Sequence, residues 1–182
     1  MKTANVELPR LTLLLGGARS GKSAYAQNLA ETAAAIDGVS PQLILIATAE
    51  AGDEEMASRI ARHRADRGPR WRTIEAPLQL GHALQQASGP EQVIVVDCLT
   101  LWLGNLMQAG IDPDAAGDEL LRSVTDCTGP VILISNEAGL GIVPDNRLAR
   151  EFRDHAGRLH QKIAAQAGRV CFIIAGLTLQ LK

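Results

Sequence analysis

The chain has 182 residues, 46% of them hydrophobic and 21% charged, with a formal net charge of -2, which is the profile of one globular domain large enough to bury a core. A near-neutral balance excludes a chain-wide electrostatic footprint for nucleic acid or an anionic membrane surface, so any basic function is local. Three cysteines, Cys98, Cys127 and Cys171, without paired spacing exclude a disulfide framework and a cysteine-based zinc site, and fit reduced thiols.

The opening MKTANVELPR carries charges and a proline where a secretory leader needs an apolar stretch. No run reaches the ~20 apolar residues of a membrane span, so a cytoplasmic location is expected. Residues 1–10 read as an N-terminal extension and residues 11–182 as a single domain.

The first apolar run, Leu11–Leu15, predicts a strand, and Lys22–Ala35 predicts a helix. Between them stands GGARSGKS, which fits G-x-x-x-x-G-K-[ST] at Gly16, Gly21, Lys22 and Ser23. The strand before and the helix after are the context this motif requires. Its glycines let backbone N–H groups curl around phosphate oxygens at a helix N-terminus, where the dipole favours an anion. Lys22 would reach the β- and γ-phosphates of a nucleoside triphosphate, and the Ser23 hydroxyl would ligate Mg²⁺.

A strand over Leu43–Ala47 and a helix over Glu54–Asp66 follow. The segment RIARHRADRGPRWR, from Arg59 to Arg72, holds six arginines in a chain with 18 Lys plus Arg. Glu55, Arg59, His63 and Arg67 share one helix face at i, i+4 spacing. Two readings stand for it. One is a solvated helix laced with Glu–Arg pairs. The other is a second anion site, in which flanking arginines lower the pKa of His63 and keep a neutral imidazole ready to attack phosphorus.

A weaker strand is expected at Trp71–Ile74, a helix at Leu78–Ala87, and a buried strand at Val93–Cys98. Asp97 closes the run VIVVD, the Walker B arrangement, and would hold Mg²⁺ together with Ser23. The alternative is a carboxylate capping a helix that begins near Thr100. A helix over Asp114–Cys127 leads to a strand at Val131–Asn136, and then to NEAGLGIVPDNR. Polar residues and glycines at the carboxyl end of a parallel strand lie where ligands bind in open α/β sheets, so Asn136 and Glu137 are candidates for positioning substrate. An ordinary turn explains them equally well.

The long helix Asn146–Ala167 has start signals in Pro144, Asp145 and Asn146 and a stop at Gly168. Gly157 inside it suggests a close helix–sheet or ligand approach. His82, His155 and His160 share no metal-ligand spacing and read as surface or partly buried residues. Strands at Arg169–Ala175 and Thr178–Leu181 complete the chain. Nearly continuous apolar strands alternating with helices predict an α/β fold, a mostly parallel sheet flanked by helices.

These motifs together resemble the bifunctional adenosylcobinamide kinase / adenosylcobinamide-phosphate guanylyltransferases of cobalamin assembly. The resemblance runs from about Leu11 to the C-terminus. It rests on GGARSGKS, on IAT at Ile46–Thr48, on EEMASRIARHRADRGPRWRTIEAP, on VDCLTLWLGNLM and on SNEAGLGIVPDNRLAREFRDHAGR. The phosphate loop is shared by many families. The arginine-flanked histidine followed by W-R-T-x-E, with N-E-x-G-x-G-I-V-P, is far more specific.

The resemblance implies a P-loop NTPase-like (RecA-like) fold and two reactions. ATP or GTP would phosphorylate the aminopropanol hydroxyl of adenosylcobinamide. GTP would then pass GMP, through a guanylylated histidine matching His63, to that phosphate and give adenosylcobinamide-GDP. Catalytic roles carry over to His63, Lys22 and Asp97, and metal ligation to Ser23 and Asp97. Nucleotide contacts carry over to Gly16, Gly17, Ala18, Arg19, Ser20, Gly21, Lys22 and Ser23, to Ala47, Thr48 and Ala49, to Arg64, Ala65, Asp66 and Arg67, and to Glu75 and Asp97. A homotrimer with nucleotide sites near subunit boundaries is implied as well. His160 stands where the family pattern has Asn, in G-R-x-N-Q, which bears on the substrate side of that helix. Two rival readings remain: a kinase for another hydroxyl substrate, which leaves His63 unexplained, and a non-catalytic GTP-binding module, for which no guanine-reading motif is visible.

Overall fold

A computed structural model describes residues 8–33, 41–49 and 70–182. The expected helix at Glu54–Asp66 lies outside the described residues. The described elements are β1 (Leu11–Gly16), α1 (Lys22–Ala33), β2 (Gln42–Ala47), β3 (Trp71–Glu75), α2 (Leu80–Ala87), β4 (Gln92–Asp97), α3 (Leu99–Gln108), α4 (Pro113–Asp126), β5 (Val131–Asn136), α5 (Arg147–Gln166), β6 (Arg169–Ile174) and β7 (Leu177–Gln180).

The strands form one seven-stranded sheet in the order β3-β2-β4-β5-β1-β6-β7. All neighbours pair parallel except β6 and β7, which pair antiparallel. The physical cause of the central order is burial on both faces. Leu11–Gly16 is buried at every residue, as is each of Leu43–Ile46, Val93–Val96 and Val131–Ser135. Such strands have no polar side to show to water and must lie inside a two-faced sheet.

Alternate residues of each strand feed opposite layers. On one face Leu14, Leu43, Leu45, Val93, Val95, Ile132 and Ile134 pack with Ala26, Leu29 and Ala30 of α1. On the other, Leu13, Leu15, Ile44, Ile46, Ile94, Val96 and Leu133 pack beneath α2, α3, α4 and α5, with Leu84, Trp102, Leu120 and Ile163 among the contributors. Each fully buried aliphatic side chain contributes ~1.5–3 kcal/mol relative to exposure.

Helix ends follow local chemistry. Asp112 caps α4 by accepting from the Asp114 N–H at 2.9 Å, with Pro113 as first helical residue. Asn146 caps α5 by accepting from the Ala149 N–H at 2.7 Å. Across the surface of α4 and α5, Arg158 holds Asp114 with two nitrogens, at 3.2 and 2.9 Å, and its hydrogen bonds draw the Asp114 carboxyl below the usual carboxylate range.

Three expectations are corrected, and the helix expected only as an alternative, beginning near Thr100, is present as α3 over Leu99–Gln108. Its buried residues Leu99, Trp102, Leu103 and Leu106 recur at helical spacing, but the run LTLWLGNLM is apolar enough to hide that period. His160 is buried at 7% exposure, not superficial. A Cβ at Gly157 would meet nothing within 4 Å among the described residues, so no helix–sheet approach among them explains that glycine. The final strand is Leu177–Gln180 and reverses direction after a turn at Ala175 and Gly176, both at positive φ.

Candidate functional site

The site grows from the carboxyl end of β1. Gly16 has φ +151°, and a Cβ there would stand 2.3 Å from the Ile173 carbonyl oxygen of β6. Only glycine allows the chain to leave the sheet at this point and begin the loop. The loop is braced on its far side by the β6–β7 turn. The Gly176 N–H donates to the Ser20 carbonyl at 2.8 Å, and a Cβ on Gly21 would lie 3.3 Å from the Gly176 Cα.

Lys22 opens α1 and folds its ammonium back into the loop. Its Nζ donates to the carbonyl oxygens of Gly16 at 3.1 Å and Gly17 at 2.5 Å. Burial pushes the Lys22 pKa down, while Cys98 and Asp97 act in the opposite sense. A phosphate group entering the loop offers this cation a charged partner in place of two neutral carbonyls. One residue on, the Ser23 hydroxyl donates to Asp97 Oδ2 at 2.7 Å. Asp97 ends β4, with β5 between it and the loop-bearing β1. Cys98, not Asp97, occupies the N-cap of α3, and no side chain caps that helix. The capping alternative for Asp97 therefore falls away.

Two hard oxygen donors brought within hydrogen-bond distance at a phosphate loop are a fitting pair for Mg²⁺, which takes one or two protein oxygens and completes its shell from phosphates and water. Among the described residues there is no cluster of three or more His, Cys, Asp or Glu side chains that could hold a metal ion.

The ends of β2 and β3 adjoin Asp97. Ala47 is in register with Asp97 on one side and Glu75 on the other. Thr48, just past β2, is fully buried. Its hydroxyl accepts from the Cys98 N–H at 2.8 Å and donates to the Cys98 carbonyl at 2.7 Å. Its N–H donates to the Asp97 carbonyl at 3.2 Å, and its carbonyl accepts from Asn105 Nδ2 at 2.9 Å. Thr48 thus stitches β2 to the residue after Asp97, with its side chain turned into the protein. Burial pushes the Cys98 thiol up and keeps it protonated, as suits a core residue.

The polar residues after β5 are tied to the same edge. The Glu137 N–H donates to the Gly16 carbonyl at 3.1 Å, and the Asn136 N–H donates to Thr100 Oγ1 at 2.7 Å. Thr100 Oγ1 lies 3.3 Å from Ser135 Oγ, which lies 2.7 Å from His160 Nε2. His160 Nδ1 is 4.0 Å from Glu137 Oε2. Burial outweighs that carboxylate and lowers the His160 pKa, so the ring sits neutral between α5 and β5.

The structure therefore gathers Gly16–Ser23, Ala47–Ala49, Glu75 and Asp97 along the carboxyl edge of one sheet. His63, Arg64, Ala65, Asp66 and Arg67 lie outside the described residues. Sequence reasoning missed Asn105, Thr100, Ser135 and the burial of His160. Each acts through a partner that is 25 or more residues distant, and no local pattern marks such pairs.

Comparison with known proteins agrees with this geometry. A sequence model of the family described as cobinamide kinase / cobinamide phosphate guanyltransferase matches residues 12–181. The chain is 49% identical over 173 residues to the bifunctional adenosylcobalamin biosynthesis protein CobP of Pseudomonas aeruginosa, covering 93% of this chain and 96% of that one. It is 37% identical over 187 residues to the protein of the same description, CobU, of Escherichia coli, with 94% and 99% covered. Among solved structures, the flagellar accessory protein FlaH of Methanocaldococcus jannaschii superposes with a TM-score of 0.53 at 14% identity, over 94% of this chain and 77% of that one. That likeness speaks for the fold alone, a mostly parallel sheet flanked by helices. With the phosphate loop, the strand-end aspartate and near-full-length similarity all in agreement, the chain belongs to the cobinamide kinase / cobinamide phosphate guanyltransferase family.

Proposed function

We propose that this enzyme phosphorylates the aminopropanol hydroxyl of adenosylcobinamide with ATP or GTP, and then transfers GMP from GTP to that phosphate through a guanylylated His63. The observation that carries the first half is the Ser23–Asp97 pair at 2.7 Å beside the Lys22-bearing loop. In the kinase step the acceptor hydroxyl oxygen attacks the γ-phosphorus, the bond to the β-phosphate oxygen breaks, and the nucleoside diphosphate leaves as the hydroxyl proton is released. Lys22 and the backbone N–H groups of Gly16–Ser23 hold the transferring oxygens. Ser23 and Asp97 would hold Mg²⁺, which when bound neutralises developing phosphate charge.

In the second step a neutral His63 nitrogen attacks the α-phosphorus of GTP and pyrophosphate leaves. An oxygen of adenosylcobinamide phosphate then attacks the phosphorus, the P–N bond breaks, and the imidazole returns to its starting form. Arg64, Ala65, Asp66, Arg67 and Glu75 would contact GTP in this step, with the arginines offsetting phosphate charge. Ala47 and Ala49 flank the buried Thr48 beside Asp97, where backbone approaches the nucleotide. We assign the chain to a single catalytic domain working as a homotrimer in the cytoplasm. Among the described residues no helix is long and apolar enough to cross a membrane.

The test is incubation with Mg²⁺ and GTP labelled at the α-phosphate, followed by a search for an acid-labile, alkali-stable protein adduct. The wild type should form it and His63→Ala should not. Loss of γ-phosphate transfer to adenosylcobinamide, or an adduct that survives in His63→Ala, sinks the corresponding half of the reading.

A further inference from the structure

The loop joining β5 to α5 is held firmly at both ends and exposes apolar residues between them. At its start, the Glu137 N–H is bonded to Gly16, and Glu137 Oε1 accepts from the Gly139 N–H at 2.5 Å. At its close, Arg150 Nη1 donates to the carbonyls of Pro144 at 2.9 Å and Asp145 at 2.6 Å. Between these anchors Leu140 is 81% exposed, Ile142 96% and Val143 58%, and Leu148 in the first turn of α5 is 63% exposed. Aliphatic side chains singly exposed are ordinary, but four in nine residues form a surface that calls for a partner.

We propose that Leu140, Ile142 and Val143 form the resting surface for the corrin ring of the acceptor. The inference depends on the functional reading above. In that reaction a short hydroxyl arm must reach the γ-phosphate over Gly16–Ser23, while the macrocycle it hangs from is far too large to enter the phosphate loop. The ring must lie outside the carboxyl edge, against whatever stands beside the loop. The β5–α5 loop stands there by a direct backbone hydrogen bond to Gly16. Its aliphatic apex suits the methyl-studded face of a corrin, and its anchored ends let it receive a ligand with little ordering cost. Three other exposed aliphatics fit that role less well. Leu177 and Leu179 belong to the edge strand β7, whose open backbone edge suits another strand. Ile111 lies beyond the far end of α3.

The experiment uses full-length protein and cobinamide itself as the probe, with binding read from its visible absorption and from sedimentation of the bound pigment. Leu140→Ser and Ile142→Ser are compared with wild type and with Ile111→Ser. Each loop substitution should weaken cobinamide binding about tenfold, the scale of one buried aliphatic contact. GTP affinity, circular dichroism and oligomeric state should stay as in wild type, and Ile111→Ser should bind as wild type does. Unchanged cobinamide affinity in the loop variants overturns the inference while wild-type turnover of cobinamide leaves the functional reading standing. A shift in oligomeric state in those variants also overturns it, and assigns the surface to a second copy of the chain. Failure of wild type to bind cobinamide while it binds GTP overturns both.

Discussion

His160 offers the sharpest physical test of the packing around the site. Its ring is 7% exposed and lies 2.7 Å from Ser135 Oγ, and burial lowers its pKa from the ordinary 6.5. In the unfolded chain the ring takes up a proton near pH 6.5, whereas in the folded protein it resists until the pH is lower. Between those two values the unfolded state binds more protons, so stability rises with pH there and levels off above 6.5. With the ring neutral in the folded protein throughout, the loss between pH 8 and pH 5.5 is at most about 1.4 kcal/mol, a limit set by the unfolded value of 6.5 alone. At a urea slope of about 2 kcal/mol/M that limit shifts the unfolding midpoint by about 0.7 M. His160→Asn keeps a hydrogen-bonding side chain toward Ser135 but does not titrate, so it serves as the reference. Midpoints of nucleotide-free protein should be measured by circular dichroism from pH 5.5 to 8 in both forms. The wild type should lose stability relative to His160→Asn as the pH falls. A constant difference across the range would refute the burial of a neutral ring.

Two glycines should respond in opposite ways to the same change. Gly16→Ala places a Cβ 2.3 Å from a backbone oxygen of β6 at φ +151°, and should cost about 3 kcal/mol or more and abolish nucleotide binding. Gly157→Ala meets open space on a helix and should add about 0.5–1 kcal/mol; similar urea midpoints for the two variants would contradict both readings. Asp97→Asn keeps an oxygen for the Ser23 hydroxyl but loses the charge, so its nucleotide affinity should fall about tenfold or more with Mg²⁺. The same variant should match wild type in EDTA; an undiminished Mg²⁺ effect, read by titration calorimetry, would remove Asp97 from the metal site.

Much of this protein is written locally. The strand at β1, the phosphate loop and the start of α1 are consecutive in sequence, and each needs only its neighbours: apolar residues for a doubly buried strand, glycines for the turn, Lys22 and Ser23 at the helix start. The same holds for Asp97, since a run of β-branched residues ending in a carboxylate announces its own position at a strand end. The motifs anticipated that Asp97 and Ser23 would share a metal, but not the sheet order that brings them together. That Asp97 stands 2.7 Å from Ser23 depends on β5 inserting between β1 and β4, a matter of sheet order that neither segment encodes alone. α3 was legible only as a start near Thr100 for a related reason: a helix set against other helices and the sheet is apolar over more of its surface, and its period fades. His160 reads as one more polar residue of an amphipathic helix until α5 lies across β5 and Ser135 closes over it. Local chemistry chose the site's parts, and the packing of both sheet faces, a property of the whole chain, decided which of them touch.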